Sequence, residues 1–132
     1  MKILVINLDR SIDRLERMRQ IFATSGLVFE RLPAVDGKLL PQEEQSVFNG
    51  QRNGRPVMLT PGEIGCYLSH VAAWQRLLDG PDDHIVVVED DVHFSAKAGR
   101  ILKEAGWIPA DADIVKLETA RTHVRLASEA AA

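Results

Sequence analysis

Hydrophobic residues occur in short continuous runs that alternate with longer, periodically apolar segments. The runs at 2–8 and 85–88 are rich in β-branched residues and end in polar side chains, a pattern typical of strands buried on both faces. Weaker strands are predicted at 27–32 and 113–117. Strands alternating with helices in this order predict an α/β fold, with a mostly parallel, Rossmann-like sheet flanked by helices.

Three longer helices are predicted between and after these strands. The first begins after the capping residue Ser11 and ends at Gly26. The second begins with the capping-box residues Thr-Pro-Gly-Glu at 60–63 and ends before Gly80. Its apolar residues surround most of its circumference, so we expect it to be packed on more than one side. The third helix is predicted over 95–105.

The whole chain of 132 residues is long enough for one domain with a real core. Residues 38–59 are polar and broken by glycine and proline, which predicts a surface loop with one short helix at 42–48. The tail at 119–132 ends in alanines and carries no structural pattern. We therefore expect a single domain, 1–132, with one long loop.

Charge and cysteine content narrow the class of protein. With a net charge of −3, the chain lacks the excess of basic residues that is typical of a nucleic-acid-binding protein, so no nucleic-acid partner is expected. Cys66 is the only cysteine, which rules out an intrachain disulfide and favours a reducing, cytoplasmic setting. The first apolar run is too short for a signal peptide or a membrane span, so any association with an inner membrane would be peripheral.

The acidic triplet Glu89-Asp90-Asp91 follows the most apolar strand directly. Since side chains alternate along a strand, Glu89 and Asp91 are expected on one side and Asp90 on the other. Two carboxylates so placed can hold Mg²⁺ or Mn²⁺, and that ion could then hold a diphosphate. The alternative is a solvated turn whose acids cap the next helix. Ligands of parallel sheets bind at the carboxyl ends of the strands, which is where these acids lie.

Several segments together resemble one known family. They are, in order, VINLDRSIDR at 5–14, AVDG at 34–37, LTPGEIGCYLSH at 59–70, and VVEDDV at 87–92 with VKLE at 115–118. Their order and content resemble glycosyltransferase family 25, which includes lipooligosaccharide galactosyltransferases and relatives acting on collagen hydroxylysine. The resemblance implies a GT-A-type domain and an inverting transfer of a hexose, usually galactose from UDP-galactose, to a lipooligosaccharide or LPS-type glycan or glycolipid acceptor.

The resemblance also implies roles for particular residues. The triplet would take the place of the family's acidic metal-binding motif. From its spacing, our hypothesis is that Asp91 is the direct metal ligand, with Glu89 assisting and Asp90 nearer the ribose. Candidates for contacts with the nucleotide sugar are Asn7, Asp9, Arg10, Arg14, Asp36 and Asp90. Arginine suits phosphate geometrically. The alternative is that Arg10 and Arg14 are exposed residues at the start of a helix, paired with nearby aspartates.

An inverting transfer needs a general base for the acceptor hydroxyl. Glu118, at the end of the last predicted strand, is the candidate for that base. His70 and Glu63 are further catalytic candidates, although a capping box explains Glu63 and burial in an apolar helix would explain His70. Cys66 is expected to be a small buried hydrophobic residue.

Members of the family continue well beyond the position of Glu118. We therefore expect the acceptor-side part to be missing from this chain, leaving a truncated sheet whose exposed edge could support a homodimer. One alternative is a catalytically inactive nucleotide-sugar-binding or assembly module with the same fold. Another is a receiver-like α/β protein that uses the acids to hold Mg²⁺ for phosphoryl transfer.

Overall fold

A computed structural model of the chain describes residues 1–95 and 97–117. The strands are β1 (Lys2–Asn7), β2 (Glu30–Pro33), β3 (Gly50–Arg52), β4 (Arg55–Val57) and β5 (Ile85–Glu89). The α-helices are α1 (Ile12–Thr24), α2 (Gln42–Ser46), α3 (Pro61–Leu78) and α4 (Ala98–Lys103), and a 3₁₀ helix spans Gly37–Leu39.

The central sheet has three parallel strands in the order β2-β1-β5. Parallel neighbours require a crossover, and α1 and α3 lie in the two connections. The register pairs Ile6 of β1 with Glu89 of β5, and Asn7 with Pro33 of β2. The prediction of an α/β fold with a parallel sheet is confirmed.

Two hydrophobic clusters cover the two faces of this sheet. Alternate residues of β1 point to opposite faces, so Ile3 and Val5 join one cluster while Leu4 and Ile6 join the other. Met18 and Phe22 of α1, together with Leu102 of α4, complete the first cluster; Leu32 of β2 and Ala73 of α3 belong to the second. The sheet is therefore sandwiched between helices, with α1 and α3 on opposite faces.

The predicted ends of α1 and α3 are confirmed, except that Ser11 precedes α1 without a capping hydrogen bond from its side chain. Gly26 follows α1 with φ of +61°, the left-handed conformation that favours glycine after a helix. At the start of α3, the Thr60 hydroxyl accepts from the backbone N–H of Glu63, and the Glu63 carboxylate accepts from the backbone N–H of Thr60. The predicted capping box is present.

The chain that follows β2 packs closely on the first turns of α3. A Cβ atom at Gly37 would lie 1.8 Å from the Pro61 carbonyl oxygen, and one at Gly65 would lie 2.5 Å from that of Val35. Only glycine allows these two backbones to approach so closely. Ser69 strengthens the contact, since its hydroxyl accepts from the Val35 N–H at 2.9 Å and donates to the Gly65 carbonyl at 2.6 Å.

Three details of the prediction are wrong. Residues 113–117 form no strand, because the apolar side chains there do not pack against the sheet, and Ile114 is 78% exposed. The third helix is shorter than predicted. Helix α3 is less enclosed than predicted: one face packs against the sheet and the chain after β2, while on the opposite face Tyr67 contacts the Phe48 ring and Val71, Trp74 and Leu78 are exposed.

The long loop contains a β-hairpin that the sequence analysis missed. Strands β3 and β4 pair antiparallel around Asn53 and Gly54. Both turn residues have positive φ, as a two-residue type I′ turn requires, and Asn-Gly is the dipeptide that such turns prefer. That dipeptide was the available signal. Among the described residues, no helix is long and apolar enough to cross a membrane.

The close contact at Gly65 can be tested with Gly65→Ala. The added methyl group would meet the Val35 carbonyl oxygen, so the free energy of unfolding should fall by about 1–3 kcal/mol despite the better helix propensity of alanine. Gly62→Ala is the matched control on the same helix, since a Cβ there meets no atom nearer than 4.0 Å. Urea unfolding of both variants measures the difference; equal stability would show that the two backbones are not in close contact.

Candidate functional site

An open cleft of about 180 Å³ lies at the carboxyl ends of β1 and β5. Its walls come from the residues just before and within α1, the turn that follows β2, and the first half of α3. The cationic lining residues are Arg10, Arg14 and Lys38. The acidic ones are Asp36, Glu89, Asp90 and Asp91. The cleft thus brings together four of the predicted nucleotide-sugar contacts and both predicted metal ligands.

Asn7 and Asp90 form a buried polar pair beneath the cleft. They are 2% and 8% exposed, and the Asn7 side-chain amide donates to the Asp90 carboxylate at 2.7 Å. The same amide nitrogen donates to the carbonyl of Ser11 at 2.9 Å, directly before α1. Asn7 therefore ties the ends of β1 and β5 to the start of α1.

Asp90 also holds two arginines of α1. Its second carboxylate oxygen accepts from Arg14 at 3.1 Å, and its carbonyl accepts from Arg17 at 3.1 Å. Arg17 donates further to the carbonyl of Val92. The hydrogen bond and the negative charge of Asp90 raise the pKa of Arg14, with a smaller contribution from Asp91, whose carboxylate lies 3.8 Å away. Arg14 therefore stays cationic at the mouth of the cleft.

Arg31 completes the network from β2. It donates to the side-chain oxygen of Asn7 at 2.9 Å and to its backbone carbonyl at 3.0 Å, and it pairs with the exposed Asp9. Asp9 itself does not line the cleft. On the opposite wall, Arg10 forms an ion pair with Asp36, whose carboxylate also caps the 3₁₀ helix through the N–H of Lys38.

Glu89 faces the other side of the sheet from Asp90, as the alternation of β5 predicts. Its Oε1 lies 3.2 Å from Nε2 of His70 and accepts a hydrogen bond from the Cys66 thiol at 3.6 Å. Cys66 is exposed, so the prediction of a buried hydrophobic cysteine is wrong. Partial desolvation, and then the charge and hydrogen bond of Glu89, raise the pKa of its thiol.

The one remaining catalytic candidate that the structure describes, Glu63, lies outside this arrangement. Glu63 does not line the cleft; both bonds to its carboxylate come from Thr60, from the backbone N–H and the hydroxyl. These bonds lower the pKa of Glu63. Glu118 lies outside the described residues. Of the three, His70 alone is a described residue lining the cleft.

Comparison with known proteins identifies the family. The model of glycosyltransferase family 25, described as LPS biosynthesis protein, matches residues 1–129. This chain belongs to glycosyltransferase family 25.

Relatives occur in animals and bacteria. Procollagen galactosyltransferase 2 of Mus musculus is 37% identical over 109 residues, which cover 76% of this chain and 17% of the mouse protein. A glycosyltransferase 25 family member of Drosophila pseudoobscura pseudoobscura is 35% identical over 115 residues, which cover 78% of this chain and 18% of that protein. A putative glycosyltransferase of Haemophilus influenzae is 31% identical over 115 residues, which cover 86% of this chain and 40% of that protein. The chain therefore matches less than half of each of these three relatives.

Two residues of this family 25 site were missed by the sequence analysis. Arg31 falls in a predicted strand and Arg17 in a predicted helix, and neither is among the predicted site residues. Neither role could be found from local pattern alone, because both depend on which strand lies beside β1. The interleaving of arginines with acidic residues over 9–31 is the available signal.

The buried pair can be tested with Asn7→Asp. The new carboxylate would face Asp90 and the Ser11 carbonyl without a hydrogen to donate, so the free energy of unfolding should fall by about 1–3 kcal/mol at neutral pH. Two adjacent buried carboxylates share a proton, which raises their pKa in the folded state. The folded variant then binds more protons than the unfolded one, so the loss should shrink as pH falls toward about 5.

Urea unfolding at several pH values measures this effect. Asn49→Asp makes the same substitution at an exposed site and should change stability little. A loss that is independent of pH would mean that the two carboxylates do not interact.

The capping role of Glu63 predicts a pH dependence. Because its pKa is lowered in the folded family 25 domain, its carboxylate stabilises the fold above the unfolded pKa, and this stability is lost as pH falls through the folded value. Glu63→Gln keeps an acceptor oxygen but does not titrate. Between about pH 5 and about pH 3 the variant should lose less stability than the wild type. Thermal unfolding against pH measures this, with the exposed Glu104→Gln as control for net charge; parallel profiles for Glu63→Gln and the wild type would contradict it.

Proposed function

We propose that this chain forms the donor-binding part of a glycosyltransferase of GT-A type. Its donor is a UDP-hexose, UDP-galactose first, and its acceptor is a glycan or glycolipid of the lipooligosaccharide or LPS type. The hexose is transferred with inversion at the anomeric carbon. The family supports the reaction class, and the name of the mouse relative supports galactose.

The observation that carries the proposal is the pairing of opposite charges in one cleft. Arg14 and Arg10 lie at the start of α1, where their guanidinium groups can contact phosphate oxygens. Glu89 at the end of β5 and Asp91 just after it line the same cleft, and the Asp91 carboxylate lies 3.8 Å from Arg14. A sugar diphosphate carries negative charge that both a guanidinium and a carboxylate-bound cation can neutralise.

Glu89 and Asp91 fit a hard divalent cation, Mg²⁺ or Mn²⁺. Both carboxylates are at least half exposed in the cleft, whereas Asp90 is buried and already accepts from Asn7 and Arg14. Mg²⁺ and Mn²⁺ sites of this kind use one or two carboxylates, substrate phosphates and water. Such an ion would stabilise, as a Lewis acid, the charge left on the departing UDP.

The predicted nucleotide-sugar contacts divide into two kinds under this proposal. Arg10 and Arg14 contact the diphosphate, and Asp36 holds Arg10 in place. Asn7 and Asp90 act from below by fixing the position of Arg14. Asp9 lies farther out and reaches the network through Arg31.

The acceptor hydroxyl attacks the anomeric carbon from the face opposite UDP and loses its proton to a general base. Glu118 remains the first candidate for this base, and His70 is the candidate within the cleft. A reducing, cytoplasmic setting is proposed with this function, because it keeps the exposed Cys66 thiol reduced.

A second candidate function is a binding or assembly module without catalysis. Such a module would bind the donor and fail to release UDP from it.

Calorimetry with UDP and Mn²⁺ tests the donor site. Arg14→Ala should weaken UDP binding by about 10- to 100-fold, because charged hydrogen bonds to the diphosphate are lost, and should leave uridine binding nearly unchanged. The matched control is Arg19→Ala, which removes an exposed arginine of the same helix that does not line the cleft.

Two outcomes would contradict the proposal. If the wild type bound no UDP in the presence of Mn²⁺, the cleft would not be a donor site. If Arg14→Ala and Arg19→Ala weakened UDP binding equally, the effect would come from net charge and not from the cleft.

An activity assay distinguishes the enzyme from the inactive module. The enzyme releases UDP from UDP-galactose, whereas the module binds the donor without releasing UDP.

A further inference from the structure

The α3 side of the cleft contains a cluster of side chains that includes sulfur and nitrogen ligand atoms, unlike the carboxylate pair Glu89 and Asp91. Cys66 and His70 lie one turn apart on α3, so their side chains share a face of the helix, and Glu89 reaches them from the end of β5. One ligand atom from each side chain lies within 4.8 Å of the other two. Within residues 1–95 and 97–117 this is the one such group of three histidine, cysteine or carboxylate side chains.

The separations agree with those between ligands of one tetrahedral ion. With ordinary Zn–S, Zn–N and Zn–O bond lengths, a tetrahedral angle places sulfur and oxygen about 3.6 Å apart and nitrogen and oxygen about 3.4 Å apart. The corresponding distances are 3.6 Å from Cys66 Sγ and 3.2 Å from His70 Nε2, both measured to Glu89 Oε1. The thiol is exposed, so a side-chain rotation can adjust its distance to the imidazole.

The donor set selects the class of cation. Thiolate and imidazole ligands favour Zn²⁺ and similar borderline or soft ions, whereas Mg²⁺ prefers carboxylate, carbonyl and water oxygens. Both contacts of the cluster use Oε1 of Glu89, which leaves the other carboxylate oxygen for a cation on the Asp91 side. The negative charges of Glu89 and Asp91 also favour a cation here.

We infer that Cys66, His70 and Glu89 form a binding site for Zn²⁺ or another divalent ion of its class. Three protein ligands leave the fourth position open to the cleft for water or a ligand oxygen. On binding, the ion replaces the thiol proton, which passes to solvent, and the sulfur ligates as thiolate. The site does not depend on the proposed transfer reaction, because it can bind metal whether or not the cleft binds a nucleotide sugar.

Cobalt is a suitable probe because Co²⁺ takes the same ligands and is coloured. Titration of the metal-free chain with Co²⁺ alone should give a thiolate-to-cobalt charge-transfer band in the near ultraviolet and intense visible bands of four-coordinate cobalt. Zn²⁺ should abolish both in a one-to-one titration, whereas Mg²⁺ should not. Cys66→Ser should remove the charge-transfer band.

Competition with a chromophoric chelator gives the affinity for Zn²⁺. His70→Gln should weaken Zn²⁺ binding by more than the roughly 10- to 100-fold that loss of an outer-shell partner costs. His84→Gln is the matched control, since it removes an exposed imidazole at the opposite end of β5 and should leave the affinity unchanged. Circular dichroism of each variant checks that the fold is retained.

The inference would be overturned by Co²⁺ spectra without a thiolate band, by a band that survives in Cys66→Ser, or by equal effects of the two histidine substitutions. Failure here is distinguishable from failure of the proposed function. A chain that binds UDP with Mn²⁺ but gives no thiolate band would lack only the Zn²⁺ site. A chain that shows the band but binds no UDP would lack only the donor site.

Discussion

The hydrogen bond between Asn7 and Asp90 is the interaction on which the rest of the site depends. A buried carboxylate is costly unless several donors satisfy it, and Asp90 obtains them from Asn7 and Arg14. Asn7 in turn accepts from Arg31. One amide therefore fixes the ends of two strands and the positions of two arginines. The position of Arg14 at the mouth of the cleft is a consequence of how Asp90 is buried.

A second constraint fixes the wall opposite α1. The backbone after β2 can approach α3 only because Gly37 and Gly65 have no side chains, and the Ser69 hydroxyl bonds to both segments. The close approach holds the first turns of α3 beside the sheet, which brings Cys66 and His70 toward Glu89. The family motif over 59–70 thus combines helix capping, close backbone packing and cleft chemistry in one helix, and any of these roles restricts substitution there.

Local signals predicted the parts of the fold that are locally determined. The β-branched runs of β1 and β5, the capping box at Thr60 and the glycine after α1 all act through neighbouring residues, so the sequence alone identified them. Long-range packing decided the rest. The apolar residues at 113–117 belong to neither hydrophobic cluster of the sheet, and Trp74 is 46% exposed although helical periodicity treats it like any core residue. The hairpin around Asn53 had a local signal that was overlooked within a polar loop.

For the acidic triplet, the sequence predicts the direction of each side chain but not its surroundings. Alternation correctly separated Glu89 from Asp90, because the period of a strand is a local property. It could not say which face would be buried among donors and which would open onto a cleft. That outcome follows from the register, which pairs Ile6 with Glu89 and so brings Asn7 beside Asp90. The same register turns Glu89 toward α3, where a thiol and an imidazole meet it. A shift of one residue between β1 and β5 would remove the donor from Asp90 and disrupt both halves of the site.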